Sequence, residues 1–90
     1  MIELTVSHPS GLHARPAAKF VQTAATFPCD IKVANLTTGS SAVNAKSILS
    51  VLTLGVNQGH RIQVDASGDA AEAALAALRQ LVESNFGEAT

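Results

Sequence analysis

Residues 2–17 read Ile2-Glu3-Leu4-Thr5-Val6-Ser7-His8-Pro9-Ser10-Gly11-Leu12-His13-Ala14-Arg15-Pro16-Ala17, and this stretch decides how the chain begins to fold. Ile2, Leu4 and Val6 alternate with Glu3, Thr5 and Ser7, the period of two of a half-buried strand. Ser7 to Gly11 is dense in turn formers, a loop signal. From Ala17 the apolar residues Ala17, Phe20, Val21, Ala24 and Ala25 recur at i, i+3, i+4, i+7 and i+8, one stripe of a helix that ends near Thr26, before Pro28. A strand therefore enters a helix through a short loop. Proline lacks an N–H, so Pro16 by default is the first helical residue; it also fits slightly later in the first turn, with His13 as the cap.

Working outward, Ile31, Val33 and Asn35 alternate with Lys32 and Ala34, and Thr37-Thr38-Gly39-Ser40 turns the chain toward a short strand around residues 41–43. Asn44 or Ser47 then caps a short helix carrying Ile48, Leu49, Val51 and Leu52 and stopping at Gly55. His60 to Ala66 alternates as the last strand. Asp69 with Glu72 reads as a capping box for a final helix whose stripe is Ala71, Ala74, Leu75, Leu78, Leu81 and Val82. The order β-α-β-β-α-β-α predicts an α+β open-faced β-sandwich, a four-stranded and mostly antiparallel sheet with three helices on one face. The other face should carry Glu3, Thr5, Lys32, Arg61, Gln63 and Asp65. Residues 84–90 have no periodicity and are expected to fray.

Ninety residues suit a single domain spanning 1–90. With 47% apolar and 14% charged residues the chain is globular. Six basic against seven acidic residues give a net charge of −1, without the basic excess that drives nucleic-acid binding. No apolar run approaches the ~18 residues of a spanning helix, and residues 1–6 lack a leader's basic and apolar regions, so neither membrane insertion nor secretion is expected. Cys29, the single cysteine, has no disulfide or CxxC partner and fits a reducing, cytoplasmic setting. With three Phe and no Trp or Tyr, the core must be built from aliphatic residues. A body this small leaves little room for a deep cavity, which favours a surface site.

The sharpest chemical signal is Ser10 to Ala17. A helix start presents backbone N–H groups without intrahelical partners and a partial positive charge, so it suits a phosphate. Arg15 adds a permanent cation with bidentate geometry for phosphoryl oxygens, and Gly11 relaxes the backbone beside it. Histidine can carry a covalent group, and its unperturbed pKa of about 6.5 leaves mostly neutral, nucleophilic imidazole near pH 7. Spacing alone equally fits His-x-Arg-Pro as a polar helix start on a surface loop. His8 reads as a loop residue near the site, His60 and Arg61 as a solvated strand edge, and Cys29 as a small packed residue. No histidine or carboxylate spacing suggests a metal site.

Gly11-Leu12-His13-Ala14-Arg15-Pro16-Ala17 resembles the signature Gly-[Ile/Leu]-His-x-Arg-Pro-Ala of the HPr family, the histidine-containing phosphocarriers of the bacterial sugar phosphotransferase system. Asn44 to Gly55 is similar to the same family's regulatory-serine segment, and the likeness runs from Ile2 to Ser84. The resemblance implies that His13 accepts a phosphoryl group on Nδ1 from phosphorylated enzyme I and passes it to IIA units of sugar transporters, without cofactor or metal. Arg15 would contact that phosphate, with Ser10, Gly11, Ala14 and Pro16 shaping its pocket. Ser47 matches the serine that an ATP-dependent HPr kinase/phosphorylase modifies, although a helix-capping role alone also accounts for it. Ser50 and Leu52 occupy positions that vary between kinase-competent members and others. Pro16, Ala18, Ile48, Leu49, Val51 and Leu52 would form the docking face of a monomer. Two other readings remain open, a regulatory paralogue that carries no phosphoryl group and a module that binds an anion noncovalently.

Overall fold

The computed structural model describes residues 1–88. Its elements are β1 (Ile2–Thr5), α1 (Ala14–Ala25), β2 (Asp30–Asn35), β3 (Val43–Asn44), α2 (Ile48–Leu52), β4 (Arg61–Ser67), α3 (Ala71–Glu83) and a 3₁₀ turn at Asn85–Gly87. The sheet order is β1-β4-β2-β3, and every pairing is antiparallel. This is the open-faced α+β sandwich that the pattern predicts. β4 sits between β1 and β2, matching Leu4 to Ile62 and Val33 to Val64. Those residues and Ile31 lie fully or almost fully buried under Phe20, Ala24, Val51, Leu78 and Val82 of the helices. On the opposite face Glu3, Thr5, Lys32, Arg61 and Asp65 are exposed and Gln63 is half-buried.

Several boundaries and contacts differ from the sequence reading. α1 begins at Ala14 rather than at the default Pro16, with His13 as its N-cap in extended conformation (φ −122°, ψ 158°), the second of the two placements that the sequence allows. Pro16 therefore sits in the third helical position, where its missing N–H still costs no intrahelical bond. The short strand pairs only through Val43 and Asn44. Residues 37–42 are instead organised around buried Asn35, whose Oδ1 accepts from the N–H groups of Thr37 and Thr38. Asp69 and Glu72 form no capping box, because Ala70 is the N-cap, at a left-handed φ of 64°, and α3 starts one residue later than the box requires. Glu72 still lies in the first turn, where the helix dipole favours a carboxylate.

The largest correction is at the C-terminus. Phe86 is 1% exposed and completes the core, packing edge-on against the His8 ring at 5.8 Å between centroids. Lys19 Nζ donates to Phe86 O at 2.9 Å. The expected fraying therefore does not hold for residues 84–88, while its last two positions, 89 and 90, lie outside the described residues. One buried side chain anchors this segment, and one anchor makes no periodicity to read.

Candidate functional site

The loop between β1 and α1 is held on both sides. Val6 continues past β1, its N–H donating to His60 O at 2.9 Å and its carbonyl accepting from Gly59 N–H at 2.7 Å. His8 is 7% exposed; its Nδ1 accepts the Ser10 N–H at 3.0 Å and its carbonyl accepts the Gly11 N–H at 2.8 Å. Gly11 has φ +61°, and a Cβ there would run into the backbone of Val56 and Asn57. Leu12 is fully buried and donates its N–H to Val56 O at 2.9 Å. His13 follows directly on that anchor. The loop thus fixes the histidine by pinning the residues before it, not by burying the imidazole.

The His13 ring lies half-buried at the helix start. Its Nε2 is 3.2 Å from Asn57 Oδ1. A carbonyl oxygen only accepts, so Nε2 carries the proton and donates, and in the neutral ring Nδ1 holds the lone pair. The His13 side chain makes no cap bond and the first turn of α1 holds no acidic residue, so its N–H groups face no competing carboxylate from that turn. Ala14 has φ +48°, left-handed backbone that an alanine adopts at a cost on the order of 1–2 kcal/mol. Arg15 projects outward with a 75% exposed side chain, its Nη1 4.0 Å from Glu88 Oε1.

Glu88 joins the site to the C-terminal segment. Its Oε1 is 3.1 Å from His8 Nε2, and Lys19 Nζ approaches Oε2 at 3.6 Å. Because His8 Nδ1 accepts from a backbone N–H, its Nε2 is the donor to the carboxylate. That hydrogen bond, with the positive charges of Lys19 and Arg15, holds the Glu88 carboxyl below its ordinary value of 4.5 against the opposing effect of desolvation.

Not every expected site residue has the surface its role needs. Ser10 and Ala14 are exposed, but Pro16 and Gly11 are buried. The Gly11 N–H is already bonded to His8 O, so Gly11 shapes the loop rather than offering a donor to a phosphate. Ser47 caps α2, its Oγ accepting the Ser50 N–H at 3.3 Å. Ile48, Leu49 and Leu52 are 39%, 75% and 36% exposed, whereas Val51 is fully buried. A five-residue helix has two sides, and Val51 lies on the inward one. Ala18, Val21, Gln22 and Ile48 line a shallow depression of about 250 Å³ between α1 and α2. The apolar face therefore comprises Ala18, Ile48, Leu49 and Leu52, without Pro16 and Val51. A larger depression of about 600 Å³ between β1 and the end of α3 includes neither His13 nor Arg15.

Three features escape a reading along the chain: the Asn57 contact, the His8–Glu88 pair and the placement of His60. His60 is half-buried rather than a solvated edge, its Nδ1 accepting from Asn35 Nδ2 at 3.2 Å and from the Asn57 N–H at 3.1 Å. Arg61 is exposed as expected and pairs with Glu3 at 3.4 Å. A lone Phe beyond the last helical stripe, in a chain with three Phe, was the one available signal for the C-terminal anchor.

Fold and site together define a class: a small open-faced antiparallel sandwich that presents one histidine at a helix start on its surface. The family model for the PTS HPr component phosphorylation site matches residues 2–84. The chain is similar to phosphocarrier protein HPr of Xylella fastidiosa, 43% identical over 98% of this chain and 96% of that protein. In solved structures, HPr from Thermoanaerobacter tengcongensis superimposes with a TM-score of 0.92 at 45% identity, covering 99% of this chain and 97% of that one. A multiphosphoryl transfer protein of Vibrio cholerae is 43% identical over 92% of this chain, which spans only 21% of that protein's length. The chain belongs to the HPr family, phosphocarriers of the phosphotransferase system.

Proposed function

We propose that the phosphoryl group is carried on His13 Nδ1, received from phosphorylated enzyme I and delivered to IIA units of sugar transporters. The carrying observation is the Nε2–H contact to Asn57 Oδ1, which leaves the Nδ1 lone pair for phosphorus. In the transfer that lone pair forms an N–P bond as the donor's bond to phosphorus breaks and its electron pair returns to the donor. The ring takes up the positive charge, and delivery to the acceptor reverses these steps. Exposed Arg15 and the N–H groups of the first turn of α1 balance the phosphoryl oxygens, with Ser10 and Ala14 at the rim. The chain itself acts stoichiometrically, as a monomeric single domain in the cytoplasm, where a lone buried Cys29 stays reduced.

Ala18, Ile48, Leu49 and Leu52 serve as the docking face, small and transient as a relay requires. Ser47 lies at its margin as the regulatory site for an ATP-dependent HPr kinase/phosphorylase. A phosphate there adds about −1.5 to −2 charges beside that face and repels an acidic partner surface. The test is intact-mass measurement after incubation with enzyme I and phosphoenolpyruvate, for wild type and His13→Ala. One phosphate's mass on the wild type and none on the variant is the expected result. No added mass on the wild type, with the same enzyme I loading a control carrier, would refute the reading.

A further inference from the structure

We infer that Asn57 is a positioning residue for phosphoryl transfer, holding the His13 ring with Nε2 protonated and Nδ1 bare, and that Asn35 and His60 hold Asn57 in turn. The inference rests on the reading of His13 as the phosphoryl carrier. Its basis is a chain of hydrogen bonds running from the core to the site. Asn35 is fully buried. Its Oδ1 accepts from two backbone N–H groups, which fixes the orientation of the amide and directs Nδ2 to Leu54 O at 3.1 Å and His60 Nδ1 at 3.2 Å. His60 Nδ1 also accepts the Asn57 N–H at 3.1 Å, while the His60 N–H donates to Asn57 O at 3.0 Å. Asn57 is thereby tied at both its backbone N–H and its carbonyl. Its Cα is also packed so closely on Gly11 that an added Cβ there would lie 2.7 Å away. The side chain leaves this fixed backbone toward His13 Nε2.

The contact does more in the transition state than in the resting protein. As Nδ1 bonds to phosphorus the ring becomes positive, Nε2–H becomes a stronger donor, and its bond to a neutral carbonyl oxygen strengthens with it. A neutral amide suits the task better than a carboxylate, which would also favour the charged, unreactive ring before transfer. The reverse amide orientation would place N–H groups against Nε2 and force the neutral ring's proton onto Nδ1, removing the nucleophile.

The test uses the intact chain as wild type, Asn57→Ala and Asn57→Asp, with two readouts. Long-range ¹H–¹⁵N spectra of the His13 ring at alkaline pH report which nitrogen is protonated, and single-turnover phosphorylation by enzyme I reports the rate across pH. The expected wild-type spectrum shows a protonated Nε2 and a bare Nδ1. Asn57→Ala should relax toward a mixture of tautomers and transfer about three- to tenfold more slowly, the scale of one partly exposed hydrogen bond. Asn57→Asp should restore the spectrum and the alkaline rate, with its rate–pH profile displaced to higher pH. A wild-type ring protonated at Nδ1 would overturn the inference, as would Asn57→Ala matching the wild type in both spectrum and rate. So would Asn57→Asp behaving as the alanine variant throughout. If the alanine variant fails to fold, the wild-type spectrum and the aspartate profile still decide. Wild type that takes no phosphate at all refutes the carrier reading and this inference together; a phosphorylated wild type with an unresponsive His13 refutes this inference alone.

Discussion

A methyl group at position 11 would meet the Val56 carbonyl oxygen and lie 2.7 Å from Asn57 Cα, on a residue whose φ is +61°. Neither conflict is relieved by a rotamer change, because both involve backbone. Gly11→Ala is expected to destabilise the fold by about 2–5 kcal/mol, the sum of left-handed strain and overpacking, read as a lower urea midpoint. A loss under about 0.5 kcal/mol, the range of an ordinary surface substitution, would contradict this account. The same contact couples His13 to Asn57, since Gly11 packs on Asn57 while Leu12 hydrogen-bonds Val56. Pro16 and the apolar stripe that follows announce a helix start and so place His13 and Arg15 at it, whereas their candidate roles come from the resemblance of Gly11 to Ala17 to the HPr signature. Asn57 lies 44 residues from His13 along the chain, and no spacing connects the two. Its role exists through tertiary packing alone.

Elements with a repeating burial pattern declared themselves, and the segments that departed from expectation lack one. β1, β4 and α1 alternate or recur over enough residues for the period to show, and their places in the sandwich follow from it. The turn into α3 depends on Ala70 at φ 64°, a conformation that an alanine does not advertise. The Asn85–Gly87 turn depends on one ring. Phe86→Ala is expected to cost about 3–5 kcal/mol, a loss as large as that of any residue in the central sheet, measured by chemical denaturation. Removing the ring also takes away the edge-on partner of His8 and leaves the backbone carbonyl that Lys19 holds without a buried side chain to anchor it, so protection of the residue 84–88 amides should fall first in hydrogen exchange. A cost below about 1 kcal/mol would return this segment to the frayed tail that its lack of periodicity suggested.

Across the molecule, the loop after β1, the first turns of α1 and the segment after α3 meet beside the site. His8 follows β1, Lys19 and Arg15 belong to α1, and all three converge on Glu88. Their hydrogen bond and positive charges lower the folded-state pKa of Glu88 below its ordinary 4.5, so the linkage has a definite sign. The stabilisation is present in full above the unfolded-state value and is lost as pH falls through the lower folded value. Glu88→Gln keeps an amide oxygen for the His8 Nε2–H but removes the charge, which isolates the electrostatic part. Thermal melts of wild type and Glu88→Gln should therefore differ most above about pH 5 and converge in stronger acid. The gap should also narrow with added salt, because the Arg15 arm is 75% exposed and such pairs are screened. A gap that stays constant from neutral to acid pH would show that Glu88 acts through packing alone. In that case the closure of the C-terminal segment over the start of α1 would depend on Phe86 without help from charge.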